Sequence, residues 1–301
     1  MKRVEFKNRI GLTIVGNMFF PEDFDETKQY PAISFTHPAG GVKEQTAGKY
    51  AEALSKYGYI TMAYDATYQG ESEGEPRNLE DPASRVEDVR ACMDYFTTLP
   101  FVDKNRLGAA GVCAGGAYPI KAAQTDKRIK VVAGVVPSDI GPIFRNGWFN
   151  TQTPEELNAF LEKVSAQRTA EANGAEPLLT GWVPDEDDEN LPQEMRSGWE
   201  YYRTPLAGHP RSINRFPFVS FDRVIEFTAF DHVDTLLPQP SLFITGSNAG
   251  TRWVTEWGYN RAMEPKELLV VEGANHFDMY HKEPYFTQAL EKMAEFFGKY
   301  L

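Results

Sequence analysis

Cysteine is scarce: two residues in 301, Cys92 and Cys113. Two thiols cannot staple a disulfide scaffold, so the fold must rest on an apolar core, and the expected compartment is reducing and cytoplasmic. The first residues, Met1-Lys2-Arg3-Val4-Glu5-Phe6-Lys7, contain no apolar stretch of the signal-peptide kind. No uncharged apolar run approaches the roughly 18 residues of a membrane span. Positive charge is in deficit, 31 Lys and Arg against 43 Asp and Glu, a formal charge of −12. A polyanion would be repelled, so nucleic acid and anionic membrane are not expected partners. Also missing are H-E-x-x-H, C-x-x-C and calcium-loop spacings, so no metal is expected, and neither a P-loop nor a G-x-G-x-x-G appears.

The chain does carry an alternation of strands and helices. Residues 3–19 read as two strands joined near Lys7-Asn8. Short apolar strands follow at Ala32–Thr36, Tyr59–Tyr64, Arg106–Gly111 and Lys130–Val136. Helices separate them, one with Ala47, Tyr50 or Ala51, Leu54 and Tyr57 on a single face, another opened by Pro82 and striped by Val86, Val89, Met93 and Phe96. Residues 140–235 break the pattern. It resumes with strands at Ser241–Thr245 and Leu268–Val271 and a final helix burying Phe286, Leu290, Met293 and Phe297. This order predicts a mostly parallel α/β sheet flanked by helices, with a helical cap inserted before the last two strands. The core would comprise 1–139 and 236–301, the cap 140–235.

Gly111-Val112-Cys113-Ala114-Gly115-Gly116 falls at a strand-to-helix junction, as G-x-C-x-G. In such a tight elbow the residues two before and two after the centre pack together and must be small. Cys113 would project from the carboxyl edge of the sheet, and the Ala114 amide at the helix start could face a developing oxyanion. Pro119 should distort the first turn of that helix. Cys92, mid-helix, reads as a small buried hydrophobe. Gly70-Glu71-Ser72-Glu73-Gly74 also matches G-x-S-x-G. It lies away from any strand end and between glutamates, so Ser72 reads as part of a polar loop.

Of five histidines, His276 follows the last strand through a small-residue turn and is the expected base; His281 reads as solvated, and His37 as a structural hydrogen-bonder. After the strand ending at Phe35, His37-Pro38-Ala39-Gly40-Gly41 would bring a second amide, that of Ala39, to the oxyanion hole. The acid that orients a catalytic histidine usually follows the strand before the last one. That segment reads Gly246-Ser247-Asn248-Ala249-Gly250-Thr251 and holds no carboxylate. Asp139, Glu272 and Asp278 are the substitutes, with Asp139 favoured; otherwise Cys113 and His276 act as a dyad.

These pieces, with His37–Thr46, Tyr68–Ser72 and Val271–His276, make the chain resemble the cysteine-nucleophile α/β-hydrolases of the dienelactone-hydrolase type. It is most similar to a bacterial branch that includes fungal polyketide acyltransferases. The resemblance implies an α/β-hydrolase fold and hydrolysis at an activated acyl carbonyl (ester, lactone or thioester) through an acyl-cysteine, without a cofactor. Transfer of the acyl group to an alcohol or amine is the alternative, and a non-catalytic small-molecule binder a distant third. The expected partner is a small acyl substrate; a homodimer is left open. Trp148, Phe149, Trp182, Trp199, Tyr201, Tyr202 and Phe216 could wall an acyl pocket or form the cap's own core.

Overall fold

A computed structural model describes residues 1–301. The chain opens with β1 (Lys2–Lys7) and β2 (Thr13–Phe19), then runs β3 (Tyr30–Thr36), α1 (Thr46–Ser55), β4 (Ile60–Tyr64), α2 (Pro82–Thr98), β5 (Val102–Val112), α3 (Ala114–Ala123) and β6 (Ile129–Val135). Between β6 and the next sheet strand lie α4 (Ile140–Asn146), α5 (Pro154–Ala172), β7 (Leu179–Gly181), α6 (Gln193–Arg203), β8 (Arg215–Pro217), α7 (Phe221–Glu226) and α8 (Val233–Leu236). The chain closes with β9 (Ser241–Gly246), α9 (Arg252–Arg261), β10 (Lys266–Val271), α10 (Asp278–His281) and α11 (Tyr285–Tyr300). No helix is long and apolar enough to cross a membrane.

Eight strands form one sheet in the order β1-β2-β4-β3-β5-β6-β9-β10, antiparallel at β1/β2 and β2/β4 and parallel elsewhere. The sequence dictates which strands sit where. In β6, Val131, Val132, Ala133 and Val135 are buried without alternation, as a parallel strand covered on both faces requires. β1 alternates exposed and buried residues from Glu5 to Lys7 and pairs along the sheet's edge. Asn8 makes the turn into β2, its side-chain oxygen accepting from the Leu12 amide at 3.0 Å. α2 begins with Pro82 at its first position, where no N–H is needed, and Asp81 caps the Ala83 amide at 3.2 Å. α11 buries Phe286, Leu290, Met293 and Phe297, the stripe its spacing predicts.

One local expectation needs correction. Tyr57 is 50% exposed, because α1 ends at Ser55 and Gly58, at φ +94°, turns the chain into β4. Pro119 sits inside α3, which runs from Ala114 to Ala123.

Strand order locates the site. After β3 the chain moves to one side, to β4, and then crosses α2 to β5 on the other side of β3. In doubly wound sheets ligands bind at such a switch, at the carboxyl ends of the two strands. Here those ends carry His37–Gly41 and Cys113, held side by side by the register Thr36 opposite Gly111.

Candidate active site

The elbow is built by two glycines. A Cβ on Gly111 would lie 1.9 Å from the Gly115 carbonyl oxygen, and one on Gly115 would lie 2.3 Å from the Thr36 oxygen. Only hydrogen fits at either place, so the chain can reverse within one residue. Cys113 takes up the reversal at φ 59°, ψ −132°, a conformation L-residues adopt at a cost. Its backbone is pinned by Cys113 N–H donating to Val135 O (3.0 Å) and Cys113 O accepting from Ser138 N–H (2.9 Å) and Gly116 N–H (2.8 Å). The side chain stays partly accessible and opens into a cavity of ≈ 310 Å³.

No Lys, Arg, Asp or Glu lines that cavity. Its floor is Cys113, Ser138 and Ala39; its walls include Ile143, Phe144, Trp148, Trp182, Tyr202 and Tyr280. The aromatics between β6 and β9 therefore divide. Trp148, Trp182 and Tyr202 face the cavity, whereas Phe216 packs with Val164, Phe221 and Ile225 in a separate small core. Burial pushes the Cys113 thiol above its ordinary value, although the Tyr280 hydroxyl, the Ala114 amide and the Ser138 hydroxyl all face the sulfur and favour thiolate.

His276 is fully buried at the carboxyl end of β10. Its Nε2 lies 3.1 Å from the Tyr280 hydroxyl, and its Nδ1 lies 2.6 Å from the Thr251 hydroxyl. Tyr280, in α10, thus stands between sulfur and imidazole, four residues beyond His276. Burial lowers the imidazole from 6.5 to about 3, so it rests neutral. With the proton on Nδ1, the ring donates to Thr251 and keeps the Nε2 lone pair for Tyr280. Trp148 covers the ring edge-on, centroids 4.8 Å apart.

Thr251 occupies the place where the sequence leaves the acid missing, just beyond β9. None of the three substitutes reaches the imidazole. The expectation for Asp139 is corrected: its Oδ2 accepts from the Ala229 amide (2.8 Å), the Phe230 amide (3.0 Å) and the Thr228 hydroxyl (3.2 Å). It anchors the segment before α8, and Nδ1 is already occupied. Glu272 is exposed. Asp278 accepts from the Asn275 amide and the Lys282 ammonium, both at 3.0 Å.

The loop after β3 is held rigidly. His37 is buried and neutral: its Nδ1 lies 2.7 Å from Pro38 O and its Nε2 accepts from the Ala66 amide at 3.1 Å, while burial holds its pKa well below the usual range. Buried Arg85 donates to the His37 carbonyl at 2.5 Å. Fully buried Lys43 reaches Asp65 at 2.7 Å and Glu71 at 2.5 Å, tying this loop to 65–73. Ser72 is not a rim residue: its hydroxyl is buried, donates to Asp65 O (2.6 Å) and accepts from the Val15 amide (2.9 Å). The amide of Ala39 hydrogen-bonds nothing in the protein, and that of Ala114, in the first turn of α3, has no intrahelical acceptor. Cys92 is fully buried and its thiol raised well above its ordinary value by burial. His281 is half-buried, its ring 5.3 Å from that of Tyr201.

Strand order, elbow and late histidine define a class, and comparison with known proteins agrees. Residues 35–288 match the alpha/beta hydrolase family, to which this chain belongs. It is 42% identical to the uncharacterised protein YcjY of Escherichia coli K12 over 99% of both chains. It is 32% identical to PA2218 of Pseudomonas aeruginosa over all of this chain and 81% of that protein. The PA2218 crystal structure aligns with a TM-score of 0.93, covering 100% of this chain and 93% of the other. Among more distant relatives, the polyketide transferase grgF of a Penicillium species is 25% identical over 91% of this chain and 89% of its own, and fungal thiohydrolases match at similar distance.

Proposed function

We propose that this hydrolase cleaves an activated acyl carbonyl, a thioester in preference to an ester or lactone, through Cys113 as nucleophile. One observation carries the reading. The elbow residue is a cysteine that opens into an uncharged apolar cavity and faces a Tyr280 hydroxyl hydrogen-bonded to His276. The acyl chain would lie in the cavity, with 140–235 as its cap. As sulfur attacks the carbonyl carbon, its proton passes to the Tyr280 oxygen while the Tyr280 proton passes to His276 Nε2. The carbonyl oxygen, now negative, would accept from the amides of Ala114 and Ala39, both free to donate. Collapse expels the leaving thiolate or alkoxide, which takes the proton back along the same path. Water then attacks the acyl-cysteine by the same sequence and frees the acid.

An imidazole near 3 is a weak base, and this favours a thiol over a hydroxyl as the nucleophile. A thiolate leaves without prior protonation, whereas an alkoxide does not. The uncharged lining supports an acyl chain without a free carboxylate or amine. A second reading, transfer to an alcohol or amine, is favoured by the apolar enclosure of the sulfur, which disfavours water, and by the grgF relative.

The test is intact-mass measurement during incubation with a butyryl thioester and p-nitrophenyl butyrate. A butyryl adduct on Cys113 and its loss in Cys113→Ala, together with loss of turnover, are expected. Undiminished turnover in Cys113→Ala would remove the nucleophile. Added alcohols or amines that capture the acyl group at the expense of free acid would select transfer. Binding without turnover or adduct would leave only a receptor.

A further inference from the structure

We propose that Glu194 is a positioning residue for His276: a carboxylate delivered by α6 that secures both partners of the Thr251–His276 hydrogen bond. This rests on the Cys113–His276 reading above. Glu194 lies 82 residues before His276 in the chain and is 6% exposed. It forms no salt bridge with any Lys or Arg. Instead three N–H groups converge on it. The His276 amide donates to Oε1 at 2.8 Å, the Gly250 amide lies 3.0 Å from both oxygens, and the Trp148 indole donates to Oε2 at 2.7 Å.

Each donor bears on the imidazole from a different side. Gly250 precedes Thr251, whose hydroxyl holds Nδ1. The His276 amide fixes the backbone that carries the ring. The Trp148 ring lies against the imidazole. Moving the carboxylate would therefore disturb the ring's anchor, its Nδ1 partner and its cover together. The approach is also shaped at residue 250, where a Cβ would lie 2.5 Å from Glu194 Oε2; glycine lets the carboxylate reach the amide. Charge-assisted bonds of this kind are stronger than neutral ones and hold direction as well as distance. In hydrolases with an acid on the imidazole, one carboxylate orients the ring directly. Here orientation would come from a carboxylate one residue removed, through Thr251, and from the segment inserted between β6 and β9. Docking of α6 onto the sheet edge would then be a condition for a productive histidine.

The experiment compares Glu194→Gln with wild type in p-nitrophenyl butyrate turnover, in melting temperature, and in iodoacetamide alkylation of Cys113 at pH 9.5 followed by peptide mass spectrometry. The amide keeps the length and one acceptor but turns its own N–H toward the donors. We expect kcat to fall about 10- to 100-fold with KM nearly constant, the loss associated with a small misplacement of a reacting group. Alkylation, which needs only the thiolate, should match wild type. In a His276→Ala background the same substitution should have no further effect on kcat, because it acts through the missing ring. A wild-type kcat in folded Glu194→Gln, or the same fold-loss in both backgrounds, overturns the proposal. If Glu194→Gln does not fold, Trp148→Phe, which withdraws one donor from the carboxylate, takes its place under the same two outcomes. A Cys113→Ala variant that retains turnover would overturn the nucleophile itself and this proposal with it. An inactive Cys113→Ala beside a wild-type Glu194→Gln would overturn the positioning role alone.

Discussion

Raising the pH across the Cys113–His276 pair tests how this site stores its reactive proton. Many thiol enzymes rest as a thiolate–imidazolium pair. Here the imidazole sits at about 3 and the thiol above its ordinary 9.0. A gap of six units or more makes proton transfer uphill by about 8 kcal/mol. Attraction within the ion pair returns at most about 4 kcal/mol at an effective dielectric of 20, because Tyr280 stands between the charges. The balance of at least about 4 kcal/mol leaves at most roughly one molecule in a thousand as the ion pair. The neutral pair is therefore the resting state, and on the proposed mechanism proton transfer would accompany attack on the carbonyl. The assay is the rate of iodoacetamide alkylation of Cys113 between pH 5 and 10. It should rise about tenfold per pH unit up to pH 9, following direct ionisation of the thiol. A plateau extending from below pH 6 to above pH 8 would mean a preformed ion pair and would refute the reasoning.

Thr251→Val leaves the buried Nδ1 of His276 without its partner; unfolding in urea should show a loss of about 1–3 kcal/mol, and p-nitrophenyl butyrate turnover should fall with it. Tyr280→Phe keeps the ring contacts with Tyr201 and Phe277 but breaks the path from Cys113 to His276, so kcat should fall about 10²- to 10⁴-fold at nearly unchanged melting temperature. Burial lifts the Asp139 carboxyl from 3.8 to about 6. A raised folded-state value adds stability that is complete below the unfolded value and lost as pH climbs through 6. Wild type should therefore gain on Asp139→Asn between pH 7.5 and pH 4.5 in urea titrations, by about 2 kcal/mol, and a gain in the opposite direction refutes the burial argument.

The parts of the site that a sequence displays are those fixed by local backbone geometry. The elbow could be read because only glycine fits at 111 and 115 around a strand-to-helix turn. His276 could be read because a small-residue turn after an apolar strand has few alternatives. The α/β order was visible in the same way, since strands buried on both faces, such as β6, leave unbroken Val and Ala runs. What failed was reasoning about side chains whose partners are distant. Asp139 has the right position along the chain, at the end of β6, yet its carboxylate turns to the amides of Ala229 and Phe230, ninety residues away. Glu194 has no local signature at all, because its three donors come from three separate segments. Tyr280 has no such signature, because His276 lies in the turn before α10 and the contact between them depends on how that turn folds. Thr251 lies in the segment after β9 where a carboxylate is usual, and a lone hydroxyl there carries no signature of its own.

The absence of that carboxylate shapes the chemistry more than it impairs it. A serine in the same elbow would face an imidazole near 3 with a hydroxyl several units less acidic than a thiol, and the cost of moving its proton would grow by the same number of units. Sulfur narrows the gap. A thioester would help at the second step, because its leaving group needs no proton. On the proposed mechanism the apolar cavity would act on both carbonyl steps, strengthening the amide bonds to the oxyanion while limiting the access of bulk water to the acyl-cysteine. Whether hydrolysis or transfer follows depends on which nucleophile enters beside Tyr280. An acceptor alcohol or amine that packs in the cavity displaces water and gains by the same burial that holds the acyl chain, so the ratio of transfer to hydrolysis should rise with the apolar size of the acceptor until the walls set by Phe144 and Trp182 exclude it.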